Sequence, residues 1–173
     1  MSRNDRKSPL YQLFHGLVHD AFLAQSCGRT GHDVEDYVTG LLFQFARTDH
    51  VFAIQDTEGR RLTSVYEMLA EGDVRLNADS FEREREVHKH IGDYILFWTG
   101  VNPDYLRRLK LDDGRDLVCD YALQGKQSYH VVSTFDYRPY DQEAETFRKL
   151  SDGFDDLTAA LWRVRSRLPF SSA

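Results

Sequence analysis

Seven apolar residues near the C-terminus, Phe147, Leu150, Phe154, Leu157, Leu161, Val164 and Leu168, follow one another at alternating spacings of three and four. This is the period of a helix that buries one narrow stripe, and it excludes a strand, whose side chains alternate every second residue. It predicts one long helix over 140–168, with Pro139 before it and Pro169 after it. The same period recurs along most of the chain. Leu10, Leu13, Phe14, Leu17, Val18 and Ala21 mark a helix over 9–26, opened by Ser8-Pro9 and closed near Cys27-Gly28. Val34, Tyr37, Val38, Leu41, Leu42, Phe45 and Ala46 mark a second over 33–48, with Asp33 as its cap. Val87, Ile91, Tyr94, Ile95, Trp98 and Val101 mark a third over 79–100, stopped by Asn102-Pro103, which starts a short helix through Tyr105, Leu106 and Leu109.

Between these stripes the pattern weakens. Residues 51–65 fit either a small hairpin or a loop followed by a short helix. The second is preferred, because Ser64 and Glu67 form a capping box ahead of Val65, Met68 and Leu69. Leu117, Val118, Tyr121 and Ala122 suggest a helix that stops before Gly125. Tyr129, Val132 and Phe135 suggest another after it, although Val131 to Thr134 is rich in strand-favouring residues. The expectation is an all-α, single-domain bundle of about six to eight helices over 9–173, behind a flexible tail at 1–8.

Composition narrows the function. At 173 residues and 41% hydrophobic, the chain suits one domain with a real core. A net charge of −6 repels polyphosphate, which disfavours nucleic acid and anionic membranes. Arg107, Arg108 and Lys110, or Arg163, Arg165 and Arg167, could touch nucleic acid locally, but the latter set also complements a negative helix C-terminus. The apolar runs are too short to span a bilayer, and the polar N-terminus does not have the form of a signal peptide, so a cytoplasmic protein is expected. Cys27 and Cys119 lack metal-motif spacing and are expected to be partly buried thiols.

Two stretches carry a resemblance. His90-Ile91-Gly92-Asp93-Tyr94, continuing through Leu96-Phe97-Trp98-Thr99-Gly100, and Gly125-Lys126-Gln127-Ser128-Tyr129 together resemble a group of uncharacterised bacterial proteins of similar length. The resemblance implies a small helical bacterial protein and transfers no catalytic residue. Taken residue by residue, Gly92 in mid-helix points to the close approach of another helix. Asp93 falls off the apolar stripe and is expected to face water or cap a neighbour.

Candidate chemistry is sparse. His15 and His19 are four apart, a spacing that lets two imidazoles share one metal, but by helical phase they sit on or near the polar face. Glu84 and His88 are also four apart and lie nearer the core side, where they could ligate a metal, form an acid–base couple or make an ordinary salt bridge. A Glu-x-x-His pattern, which carboxylate-bridged di-iron bundles use, does not occur, and no Gly-x-Ser-x-Gly elbow or phosphate loop is present. A catalytic residue and a cofactor are therefore not named by the sequence. Trp162 and Arg163 flank the C-terminal seam and are the candidate interface, Trp162 packing either on a partner or under the first helix of the same chain. The expected function is that of a non-enzymatic interaction or regulatory protein working through helical contacts, as a homo-oligomer or with a helical partner. The alternative is a metal- or ligand-dependent enzyme, or an apolar ligand-binding module, with its site between helices.

Overall fold

The computed structural model describes residues 5–25, 31–46, 51, 53–56, 58–73, 75–113 and 120–168. Among them the helical periodicity becomes eight α-helices: α1 (Pro9–Ala24), α2 (Gly31–Phe45), α3 (Val65–Gly72), α4 (Phe81–Val101), α5 (Pro103–Asp113), α6 (Tyr121–Ser133), α7 (Asp141–Asp152) and α8 (Phe154–Arg167). The fold is an all-α, single-domain bundle. A 3₁₀ turn at Asp5–Lys7 precedes α1, and Gln12 Nε2 donates to the Arg6 carbonyl.

Side-chain caps start several helices where orphan N–H groups need partners. Ser64, Ser80 and Asp120 each accept from the backbone N–H three residues on, at 3.4, 3.2 and 3.1 Å. Pro starts α1 and α5, where its missing N–H costs nothing. The segment before α3 combines both readings of the sequence. Gln55 and Arg61 form one antiparallel bridge around a turn at Gly59, whose φ of +80° suits glycine, and the capped helix follows.

α4 is the hub. It packs against α2, α3, α5, α6 and α8, while α1 lies on α2 and α8, and α7 lies on α6 and α2. Such a helix must be buried on more than one face. Val87, Ile91, Tyr94 and Ile95 are buried as expected, but so are His90, Gly92, Asp93, Leu96 and Gly100. Small residues permit these contacts. A Cβ on Gly92 would come within 2.6 Å of the Tyr129 ring, and one on Gly100 or Gly125 would collide with Leu161 or Phe154 respectively.

The structure corrects several expectations. The C-terminal segment is two helices, not one, with the break at Gly153. Its seam is buried throughout from Phe147 to Val164, but α7 uses its share against α6 and α2, and α8 against α4 and α1. A change of direction at glycine lets one stripe serve two surfaces. α6 runs unbroken through Gly125, which is a packing glycine and not a terminus. α2 starts at Gly31, two residues before Asp33. The Asp33 carboxylate instead takes hydrogen bonds from Thr146 and Lys149 of α7. On α1 the buried stripe is Tyr11, Phe14, Val18, Ala21 and Phe22, whereas Leu10 and Leu13 are exposed. α1 ends at Ala24, with Gln25 as its C-cap, short of the expected residue 26. Cys27-Gly28 and residues 117–119, Cys119 among them, lie outside the described residues. Among the described residues no helix is long and apolar enough to cross a membrane.

Candidate functional site

The most concentrated polar chemistry in the bundle lies around Asp93. This carboxylate sits in the middle of α4, in an otherwise apolar run, and is only 5% exposed. Isolated burial of such a charge is costly, so it must be met by donors. Tyr37 of α2 donates to its Oδ1 at 2.7 Å, and Tyr129 of α6 donates to the same oxygen at 2.9 Å. Lys89, one turn earlier on α4, donates to Oδ2 at 2.8 Å, and its Nζ lies 5.2 Å from the centre of the Tyr37 ring. Burial, and then the adjacent Asp93 charge, push both tyrosine hydroxyls well above their ordinary range. They remain protonated donors at neutral pH.

Asp93 thus joins three helices through one side chain. The two stretches that carry the resemblance meet here, since Asp93 and Gly92 belong to one and Tyr129 to the other. The expectation that Asp93 faces water or caps a neighbour is corrected. The apolar face chosen from sequence was one of several, because α4 is surrounded.

Beside Asp93, a cleft of about 160 Å³ opens between α2, α4 and residues 53–54. Its lining includes Lys89, Glu86, Gln44 and Phe45, together with His90. The His90 ring is buried and engages the Val51 backbone, while its buried Nε2 has no hydrogen-bond partner among the described residues. Burial is the main cause that lowers its pKa, so the ring is neutral at pH 7.

The four candidate metal donors are not brought together. His15 and His19 stack over α2, where His19 Nδ1 lies 3.0 Å and His15 Nε2 3.8 Å from Glu35 Oε1. His32 Nδ1 approaches the other Glu35 oxygen at 3.9 Å. Glu35 was not foreseen, because it joins the two histidines only when α1 and α2 pair. His88 lies instead against Ser128, with Nδ1 3.3 Å from Oγ, and burial lowers its pKa. Glu84 lines a separate surface groove with Phe81, His130, Val131 and Tyr137. Among the described residues, no group of three or more His, Cys, Asp or Glu is placed to hold a metal ion.

Trp162 is 58% exposed, which excludes burial under α1 of the same chain. It borders a groove of about 510 Å³ that also includes Thr99, Ala122, Thr158, Ala159 and Arg163.

The fold and site define a single-domain helical bundle organised around a buried carboxylate. In comparison with known proteins, the chain matches no family model, and no curated protein or solved structure is significantly similar to it.

Proposed function

We propose that this is a non-enzymatic interaction protein that works through helical contacts, and that the α8 surface around Trp162 joins it to a second copy. A cytoplasmic, bacterial setting belongs to the same reading and rests on the sequence resemblance and the composition. One observation carries the proposal: the largest side chain of α8 is left more than half exposed beside a groove edged by alanines. Tryptophan in water leaves a large apolar area uncovered, and interface centres favour Trp and Arg over other surface residues. Small flanking residues, Ala122 and Ala159, allow a helix to approach closely. An enzyme that uses His15, His19, Glu84 and His88 together draws no support from geometry, since these residues face three different neighbourhoods.

Light scattering over a concentration series tests the idea. Wild type should gain mass with concentration, and Trp162→Ala should shift toward monomer with unchanged thermal stability. A wild type that stays monomeric at high micromolar concentration contradicts it.

A further inference from the structure

We infer that the groove between the start of α4 and the end of α6 binds a small quaternary ammonium compound, with the Phe81 and Tyr137 rings as its walls and Glu84 as its counter-charge. The groove holds about 520 Å³, the size of a small-molecule site. Tyr66, Phe81, Tyr137 and Trp162 are the exposed aromatic side chains among the described residues, and two of them, Phe81 and Tyr137, line this one groove. Phe81 is 65% exposed and Tyr137 49%, so a large apolar area is left uncovered in one place. Phe135 lines the groove from the core side, with its ring centre 5.9 Å from that of Tyr137. Tyr137 also packs edge-on against Tyr140 at 6.2 Å, which orients its ring before a ligand arrives.

The charge comes from Glu84. It lines the same groove, and among the described residues no hydrogen bond or ion pair engages its carboxylate. The neighbouring cations are engaged elsewhere. Arg83 donates to Glu71, Glu86 and the Gln55 carbonyl, and Arg85 to Glu143. Arg75 is near enough to feel the Glu84 charge, but its guanidinium donates to Asp73. His88, four residues on, lies against Ser128. Hydrogen-bond acceptors are scarce by comparison. The last carbonyls of α6 already accept: His130 from the Ser133 hydroxyl, Val131 from the Thr134 hydroxyl and amide, and Val132 from the Phe135 amide. A primary ammonium brings three N–H donors and would leave some of them unserved. A quaternary ammonium carries the charge with no N–H, and aromatic faces attract such a cation through their quadrupole. An anion would be repelled by Glu84, and a neutral hydrocarbon would cover that carboxylate without pairing it. The groove shares no lining residue with the one beside Trp162, so it stands or falls apart from self-association.

The test titrates the full chain with choline and with its neutral isostere dimethylbutanol, in which a carbon replaces the charged nitrogen, at matched chloride. The ring resonances of Tyr137 and His130 and the Val131 methyls are followed by NMR. Choline should shift them saturably, and the neutral alcohol should bind about fivefold more weakly or worse. Glu84→Gln keeps the size of the side chain and removes its charge, and it should weaken choline about fourfold. Phe81→Leu keeps an apolar wall and removes the ring, and it should weaken choline about threefold while leaving the alcohol unchanged. Phe81 is exposed and the Glu84 carboxylate engages no described partner, so both variants should keep the wild-type melting temperature. Equal affinity for choline and the alcohol, shifts that never saturate, or unchanged choline affinity in either variant overturns the proposal. Shifts of the same resonances with protein concentration alone also overturn it, because a second copy would then occupy the groove.

Discussion

Gly92 lies against the ring of Tyr129, so close that a Cβ would come within 2.6 Å of Cδ1 and Cε1. The contact lets α4 and α6 approach until the Tyr129 hydroxyl reaches Asp93. The ring is fully buried and cannot swing away. Gly92→Ala should therefore lose stability, although alanine favours a helix by about 1 kcal/mol over glycine. Overpacking costs about 1–3 kcal/mol, which leaves a net loss on the order of 1 kcal/mol. Gly16, in the middle of α1, has nothing within 4 Å of its Cβ position among the described residues, and Gly16→Ala should gain about 1 kcal/mol. Urea denaturation of the two variants should move the midpoint in opposite directions.

The Asp93 centre predicts unequal costs for its members. Tyr129→Phe removes one hydroxyl and leaves Asp93 with Tyr37 and Lys89, a loss of about 2 kcal/mol, as for a hydrogen bond to a charged group. Asp93→Ala leaves two buried hydroxyls without their acceptor and Lys89 without its partner. That should cost roughly 3 kcal/mol, the low end for breaking a buried pair, because Lys89 reaches water. Equal denaturation midpoints for the two variants would contradict this account of the centre.

Stability should fall on the acid side before ordinary carboxylates titrate. His88 and His90 both have pKa values lowered by burial. Below about pH 6.5 the unfolded chain takes up their protons and the folded chain does not, so protonation favours unfolding. The stability these groups contribute is complete above about pH 6.5 and is lost as pH falls toward their folded values. His88→Gln retains a polar partner for Ser128 and should make this acid slope shallower by about one proton. An unchanged slope between about pH 6.5 and 5 in urea denaturation would contradict the prediction.

Much of the architecture was legible because helices announce themselves locally. The seam from Phe147 to Val164 is buried as its spacing predicts, and the Ser64–Glu67 cap starts its helix. What failed depended on contacts distant in sequence. Periodicity cannot see the turn at Gly153, since the seam keeps its spacing across it. On α1 two apolar stripes competed, and only the packing of α2 and α8 decided for Tyr11 and Phe22 over Leu10 and Leu13. The Asp93 centre was missed because its partners Tyr37 and Tyr129 lie 56 and 36 residues away. A signal was present: a lone carboxylate after glycine, in the apolar run from Ile91 to Trp98, must be buried whenever that helix is surrounded.

Self-association through α8 is tested most directly by the fluorescence of Trp162. The chain has two tryptophans, and Trp98 is stacked on Tyr105 at 4.1 Å between ring centres. Trp98→Phe isolates Trp162, and it removes an indole nitrogen that has no hydrogen-bond partner among the described residues. At low concentration the remaining emission should be that of a water-exposed indole, open to acrylamide quenching. As concentration rises it should move to shorter wavelength and become protected, in step with the mass measured by light scattering. An emission that stays exposed and fully quenchable at every concentration would contradict the proposal that a second copy covers Trp162.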